Sequence, residues 1–271
     1  MVFLRKIFFF QFIILLFSSC SLYLDNLFYN TNGVDDRAAA ISDFYEDYGR
    51  NYTILLVSDV HFEANYERNE ELFSQIAEMS VKPVSCFVLG DLTRNCKQSE
   101  FNSYLQFCDE LKSAGINNVY AIPGNHDCDD GGNLYLKNIF PYRTYYRINT
   151  SKFSFYFLDS AEGSHGDAQI ENLRQIIKSD SRNKIVFSHY PLYAPESFTD
   201  KLNKSVERAV LISLFAKSNV SYYFCGHTHE FYTCDFGKFT EVILGDLKWS
   251  KSWALLSIDE NTGYVSYVYK Q

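Results

Sequence analysis

Hydrophobic residues occur in this chain mostly as short uninterrupted runs, and several of these runs stop at glycine or at a polar residue. The five clearest runs are residues 54–57, 86–89, 119–122, 185–187 and 222–225. Short apolar runs bounded in this way are typical of strands that are buried on both faces in a parallel sheet. The pattern therefore predicts a parallel sheet built from these strands.

Between the runs, apolar residues recur at the spacing of amphipathic helices. Helices are predicted over residues 68–80, 99–115, 167–179 and 202–217, and a hairpin is predicted over residues 144–148 and 153–158. Strands predicted at 239–244, 253–258 and 263–269 follow with no helix between them. An alternating first part and a strand-only end indicate an α/β fold, in which two sheets pack face to face and helices flank them.

The N-terminus has the pattern of an export signal. Arg5 and Lys6 precede an apolar run over residues 7–17 that only Gln11 interrupts, and Ser18, Ser19 and Cys20 follow. The run is shorter than the roughly 20 residues that span a membrane. Residues 16–20 resemble a bacterial lipoprotein box, in which the cysteine is lipidated. We expect a lipoprotein-type signal peptide at 1–19 and an exported protein anchored through Cys20 to a membrane of the cell envelope. An ordinary signal peptide or an uncleaved anchor is the alternative.

Residues 20–50 are expected to form a tether with some local structure. A short helix capped by Asp35 and Asp36 is predicted there. Its apolar face would consist of Ile41, Phe44, Tyr45 and Tyr48. Residues 51–271 are expected to form one domain, and the sequence indicates no particular oligomeric state.

Composition and charge restrict the classes of partner. The 271 residues are 46% hydrophobic, as expected of a globular protein, and the formal net charge is −8. A polyanion is bound mainly by Lys and Arg that displace its counterions, so nucleic acid is not expected as a partner. Six cysteines remain besides Cys20. No CxxC pair among them indicates a structural zinc site, although an exported location permits disulfides.

Each of the five apolar runs is followed by a side chain that can bind a metal ion. The five segments are SDVH at 58–61, GD at 90–91, GNHD at 124–127, SH at 188–189 and GHTH at 226–229. They contain five of the six histidines in the chain. Ligand sites in parallel sheets form beyond the carboxyl ends of the strands. We therefore expect these side chains to meet at one edge.

The spacing within the segments suits metal binding. Two residues separated by one position at a strand end point to the same side in extended geometry, which explains D-x-H and H-x-H. Gly90 would allow close approach of backbone and metal beside Asp91. A carboxylate such as that of Asp91 can also bridge two cations. The donor atoms are nitrogen and oxygen, which favours Mn, Fe, Co or Zn over Ca.

In this order the five segments resemble the calcineurin-like metallophosphoesterase superfamily, from residue 51 to the C-terminus. The resemblance implies a four-layer αββα sandwich, two divalent metal ions, and hydrolysis of a small-molecule phosphate monoester or diester. It implies that one metal ion is held by Asp59, His61 and His229, and the other by Asn125, His189 and His227. Asp91 would bridge the two ions. His126 matches the histidine that contacts the phosphate or protonates the leaving group.

Two branches of the superfamily do not fit. Purple acid phosphatases resemble D-x-G and G-D-x-x-Y, where this chain has His61 and Arg94. The protein Ser/Thr phosphatases resemble G-D-x-x-D-R-G, which residues 90–96 do not match. A diverse bacterial group remains. Alternatives within the fold are a cyclic-nucleotide phosphodiesterase or a nuclease, and outside catalysis a lipoprotein that serves as a binding module.

Four further residues have structural explanations, and for two of them a functional role is the alternative. Arg94 is either a phosphate contact or, more simply, a surface ion pair, and Asp127 either orients His126 or caps its loop. His165 is most simply a loop residue, and Asp246 a turn residue. Residues 247–252 and the other loops around the motifs carry no recognisable specificity signal.

Overall fold

Two mixed β-sheets pack face to face at the centre of the protein, and helices cover their outer surfaces. The computed structural model describes residues 32–128, 136, 139–140, 143–194 and 201–271. One apolar cluster contains residues of both sheets and forms the centre of the sandwich. A second cluster joins one sheet to its helices, and a third does so for the other sheet. The four-layer α/β prediction is therefore confirmed.

The described helices are α1 (Asn32–Ala38), α2 (Glu70–Glu78), α3 (Gln98–Ser113), α4 (Asp167–Ser179) and α5 (Ser205–Ala216), with a 3-10 turn at Asn125–Asp127. The described strands are β1 (Ser42–Tyr45), β2 (Asn51–Val57), β3 (Ser85–Leu89), β4 (Asn118–Ile122), β5 (Tyr146–Asn149), β6 (Phe153–Phe157), β7 (Asn183–Phe187), β8 (Val220–Cys225), β9 (Tyr232–Asp235), β10 (Thr240–Ile243), β11 (Trp253–Asp259) and β12 (Tyr264–Lys270). The larger sheet has the order β1-β5-β6-β7-β8-β10-β9, and the smaller has the order β12-β11-β2-β3-β4.

The five apolar runs correspond to β2, β3, β4, β7 and β8, but they do not form a single sheet. Strands β2, β3 and β4 are parallel neighbours in the smaller sheet, whereas β7 and β8 are parallel neighbours in the larger one. Each of the two sheets also contains antiparallel pairs. The metal-binding segments therefore converge from two sheets at one end of the sandwich rather than from one sheet edge.

The segment predicted as a tether contains ordered structure that packs on the domain. Strand β1 pairs in parallel with β5, so the helix predicted to carry Ile41 and Phe44 is wrong. Phe44 packs edge-on against Tyr146, with ring centroids 6.2 Å apart. A four-residue edge strand is specified mainly by the neighbour it pairs with, and the spacing of its own apolar residues carries little information. Helix α1 lies earlier, over Asn32–Ala38.

A buried ion pair ties α1 to the larger sheet. Nε of Arg37 lies 2.6 Å from a carboxylate oxygen of Asp159, which follows β6 and is fully buried. Nη1 of the same guanidinium group lies 2.9 Å from a carboxylate oxygen of Glu162. Asp159 is thus a structural partner of the N-terminal helix. Val34 and Ala38 of the same helix are buried in the cluster formed with α4 and α5.

The remaining predictions about the chain concern its cysteines and its N-terminus. Cysteines 86, 96, 108, 128, 225 and 234 form no disulfide with one another. Among the described residues, no helix has the length and apolar content needed to cross a membrane. The expected signal peptide at 1–19 and the expected lipidation site Cys20 lie outside the described residues.

Candidate metal centre

Side chains from the loops after β2, β3 and β8 form the first of two adjoining ligand groups. It consists of Asp59, His61, Asp91 and His229. Nε2 of His61 lies 3.5 Å from Oδ2 of Asp91, and Nε2 of His229 lies 3.4 Å from Oδ1 of Asp59. The two imidazole Nε2 atoms are 3.2 Å apart. Four donor atoms therefore surround one small space.

The second group shares Asp91 with the first and adds His189 and His227. Nε2 of His189 lies 3.4 Å from the same Oδ2 of Asp91 and 3.1 Å from Oδ1 of Asn125. Within each group the ligand atoms lie within 4.8 Å of one another. The seven residues predicted as ligands therefore lie at this centre, and Asp91 belongs to both groups.

The orientation of His61 fits a metal ligand. The side chain is 2% exposed, and its Nδ1 is buried with no hydrogen-bond partner among the described residues. Its Nε2 instead faces the carboxylates and another imidazole nitrogen. A cation bound among these atoms would accept the Nε2 lone pair, and nitrogen and oxygen donors suit a borderline divalent ion.

The carboxylates are ionised at neutral pH despite their burial. Burial alone would raise the pKa of Asp91, but His189, His61 and His126 lower it well below its usual range. The pKa of Asp59 is lowered in the same way, against burial, by His229 and His189. Burial lowers the pKa of His61. Two anionic side chains therefore lie buried at this centre, and positive charge beside them, from protonated histidine or from a bound cation, makes their burial favourable.

Hydrogen bonds outside the ligand groups fix the ligand atoms. Nδ1 of His189 donates to the backbone carbonyl of Leu89 over 2.8 Å, which leaves Nε2 to face the centre. Oδ2 of Asp59 accepts hydrogen bonds from the hydroxyl of Ser58 and from the backbone N–H of His227, over 2.5 and 3.0 Å. Outer partners of this kind orient metal ligands and select the histidine tautomer.

Most of the ligand residues have left-handed backbone conformations. The φ angles are 52° for Asp59, 40° for His61, 51° for Asp91, 73° for His227 and 61° for His229. Asp and His are among the few side chains that tolerate this region. The D-x-H pair meets in one ligand group, whereas His227 and His229 of H-x-H fall in different groups, and the extended geometry predicted for both pairs is wrong. Tight turns beyond the strand ends orient these side chains toward the centre.

Two glycines allow the motifs to approach each other. Gly90 has φ 91°, and a Cβ placed there would lie 2.4 Å from Nδ1 of His189. A Cβ at Gly124 would lie 2.2 Å from Oδ1 of Asp91. The sequence predicted that Gly90 admits a metal. In the structure the neighbour that needs this space is the imidazole of His189.

His126 lies beside the ligand groups and belongs to neither. Its ring stands edge-on to that of His61, with centroids 4.9 Å apart. Nδ1 of His126 is 2.7 Å from the backbone carbonyl of Arg94. A carbonyl only accepts, so Nδ1 carries the proton and Nε2 is the nitrogen left to act on a substrate. Asp127 does not orient this ring. Its carboxylate caps the loop by accepting the backbone N–H groups of Leu92, Thr93 and Gly124.

Two features near the centre were missed by the sequence analysis. Trp249 packs its ring on those of His229 and His61, with centroids 5.3 and 5.2 Å away. His165, expected to be a simple loop residue, is buried and bonds to Glu207 over 2.8 Å and to Ser188 over 3.1 Å. The tryptophan within residues 247–252 was an available signal for the ring contact with the metal centre. The contacts of His165 join positions that lie far apart in the chain.

A metal-dependent hydrolase is the class that this sandwich and its paired His/Asp groups define. The family model described as calcineurin-like phosphoesterase matches residues 52–231. The chain belongs to that family and is a metal-dependent phosphoesterase. No match is found among curated protein sequences.

Solved structures show the same fold at low sequence identity. A dimetal phosphatase from Danio rerio is 14% identical with a TM-score of 0.55, and the match covers 77% of this chain and 93% of that one. GAP50, described as the anchor in the inner membrane complex of Plasmodium, is 13% identical with a TM-score of 0.56, covering 82% and 90%. At these identities the likeness concerns the fold alone.

Proposed function

We propose that this protein hydrolyses small-molecule phosphate monoesters or diesters with a pair of divalent metal ions. The observation that carries the proposal is the position of Asp91, whose Oδ2 lies 3.5 Å from Nε2 of His61 and 3.4 Å from Nε2 of His189. Asp59, His61 and His229 would hold one ion, and Asn125, His189 and His227 the other. The donor set favours Mn, Fe, Zn or Co.

The charge of the centre suits a phosphate ester. Two divalent ions against the two carboxylates of Asp59 and Asp91 leave a net charge of about +2, which attracts an anionic ester. Bound ions of this type supply Lewis acidity and an activated water for in-line displacement at phosphorus. The protein holds the ligand atoms in place before substrate arrives, through the buried hydrogen bonds of His189 and Asp59.

His126 is proposed to act on the substrate directly. Its Nδ1–H is fixed on the carbonyl of Arg94, so Nε2 is the nitrogen that would contact the phosphate or, in the imidazolium form, give its own proton to the leaving alcohol. A positioned general acid contributes on the order of 10²–10⁴-fold to the rate. Arg94 itself forms a long contact of 3.9 Å with Glu63, and both side chains are about half exposed.

A chelated and reloaded preparation tests the proposal. Protein stripped by chelation should hydrolyse neither p-nitrophenyl phosphate nor its bis-ester, and titration with Mn²⁺ should restore activity toward one or both as about two ions bind per chain. A well-folded preparation that binds two ions and hydrolyses none of a broad panel of phosphate esters would instead favour a noncatalytic binding module. GAP50, an anchor with this fold, makes that alternative concrete.

We also propose that the protein is exported and anchored in the cell envelope through a lipid on Cys20. The support is the basic start, the short apolar run and the small residues before Cys20. In cells fed a labelled fatty acid, the full-length chain should take up label and sediment with membranes. A Cys20→Ser chain should lose the label. Equal labelling of both chains would contradict the lipid anchor.

A further inference from the structure

The loop between β10 and β11 places an exposed tryptophan ring against the metal centre. Trp249 is 52% exposed, whereas Trp253, the other tryptophan, is 3% exposed in the core. The indole ring stacks on His229 at an interplanar angle of 30° and meets His61 at 41°. This large aromatic side chain is half exposed and packs on two ligand rings. It therefore lies beside the space that an ester bound at the metal centre would occupy.

The loop is held in place by its own hydrogen bonds. The carboxylate of Asp246 accepts hydrogen bonds from the backbone N–H groups of Trp249 and Ser250. The N–H of Leu247 donates to the carbonyl of Ser58 over 2.9 Å, directly before the ligand Asp59. The ring is therefore positioned in advance relative to the metal centre, and little ordering is needed when a ligand stacks on it.

A positive charge accompanies the ring. The guanidinium carbon of Arg94 lies 5.5 Å from the centroid of the Trp249 ring, within the range of a cation–π contact. The backbone carbonyl of Arg94 also holds His126. Aromatic surface, a cation and the metal centre thus adjoin one another. This combination suits a ligand with a planar aromatic part and an anionic part.

We propose that Trp249 is a stacking platform for a planar aromatic group of the substrate, so that the enzyme prefers phosphate esters of nucleosides or aryl-bearing alcohols over aliphatic esters. The inference rests on the proposed function, since the stacked group is part of the hydrolysed ester. Trp249 lies beyond residues 52–231, which match the family model. The platform therefore belongs to a segment outside the matched motifs.

The test compares substrates that differ only in the aromatic group. AMP and ribose 5-phosphate both release the 5′ oxygen of a ribose, and only AMP carries a base. Benzyl and cyclohexylmethyl phosphate both release a primary alcohol, and only benzyl phosphate carries an aromatic ring. Trp249→Ala should lower kcat/KM for AMP or for benzyl phosphate by roughly 5- to 150-fold, the range of one base–aromatic stack. The matched aliphatic ester should change less than about threefold. If only diesters are turned over, their methyl diesters replace the monoesters.

Two variants serve as controls. Trp249→Phe keeps an aromatic face and should restore most of the preference. Tyr264→Ala removes another exposed aromatic ring, 65% exposed on β12. It pairs with Asp259, at the end of β11 remote from the Trp249 loop, and should leave the preference unchanged. The AMP pair and the benzyl pair together distinguish a nucleobase from a simple aryl group as the stacked partner.

Binding provides a second measurement that does not depend on turnover. The methylene phosphonate analogue of AMP should quench tryptophan emission of the metal-loaded protein, and the corresponding ribose analogue should not. Trp249→Phe should lose the quench, because buried Trp253 is then the only emitter. Equal losses of activity on aromatic and aliphatic esters, or no quench by the AMP analogue, would overturn the platform. Absence of all hydrolysis with an intact quench would instead refute the proposed function.

Discussion

Oδ1 of Asp91 accepts a hydrogen bond from the backbone N–H of His126 over 2.9 Å. The opposite oxygen of the same carboxylate faces the imidazoles of His61 and His189. One side chain therefore ties the two ligand groups to each other and to the loop that carries the proposed catalytic histidine. Substitutions at Asp91 and at His126 should therefore impair activity in different ways.

Asp91→Asn is expected to lose bound metal. The amide is neutral and presents one oxygen in place of two, so it cannot compensate two cations. The fall in activity should exceed the 10- to 100-fold that follows loss of an outer hydrogen-bond partner of a metal ligand. Metal content per chain measured by elemental analysis checks this. Asp109→Asn, at a side chain 76% exposed, is the matched control. Two ions per chain in Asp91→Asn would contradict the bridging role.

His126→Ala should keep both metal ions and lose turnover by about 10²–10⁴-fold. The ring belongs to neither ligand group, so occupancy does not depend on it. If Nε2 protonates the leaving group, the loss should be larger for an alkyl phosphate than for p-nitrophenyl phosphate, whose leaving group needs no proton. Equal losses would indicate contact with the phosphate, and full activity would refute both roles.

His165 and Glu207 should stabilise the fold as a pair. Both side chains are almost fully buried, 2.8 Å apart, and His165 reaches Ser188 beside the ligand His189. His165→Ala leaves the Glu207 carboxylate without its main partner and should lower the free energy of unfolding by roughly 2–4 kcal/mol. The double variant His165→Ala/Glu207→Gln should lose much less unfolding free energy than the sum of the losses in the two single variants. Denaturant unfolding of the four proteins measures the coupling, and additive losses would exclude it.

The ion pair between Arg37 and Asp159 should make the N-terminal helix part of the stable domain. Arg37→Met leaves a fully buried carboxylate without its cation and should lower the unfolding free energy by about 3–5 kcal/mol. Arg174→Met, at a side chain 46% exposed, should change it by less than about 0.5 kcal/mol. Similar midpoints for the two variants would show that residues 32–38 contribute little.

Glu241 should make stability fall as pH rises. Burial raises its pKa from 4.5 to about 8, although the N–H groups of Leu192 and Tyr193 oppose the shift. Between these two pKa values the unfolded chain releases the proton while the folded protein keeps it. The folded state then binds more protons, and its stability decreases with increasing pH over this window.

Glu241→Gln should remove that part of the pH dependence. The difference between the unfolding free energies at pH 5 and pH 8 should be smaller in the variant than in the natural protein, by on the order of a few kcal/mol. Glu171→Gln, at an exposed side chain, is the control and should keep the natural slope. An unchanged slope in Glu241→Gln would show that the carboxyl is ionised in the fold at pH 5.

The sequence predicted the strands, and the residues that meet at the centre, because both leave a local pattern. A buried strand is a short apolar run, and Asp59, Asp91 and His189 each follow such a run after one intervening residue. Strand β1 was predicted as part of a helix because its partner β5 lies about a hundred residues away. The bond between His165 and Glu207 spans 42 positions for the same reason. Contacts between distant segments leave no periodic signature in either segment.

The left-handed backbone of the ligand residues restricts what evolution can place at this centre. Each of these positions requires a residue that tolerates a positive φ, which Asp, Asn and His do far better than most side chains. A glutamate would preserve the carboxylate yet fit the turn poorly, and a glycine would relax the turn yet remove the ligand. Conformations of this kind cost of order 1–3 kcal/mol each and persist where the surroundings enforce them. Five such conformations at one centre indicate that the surrounding contacts hold these turns in place.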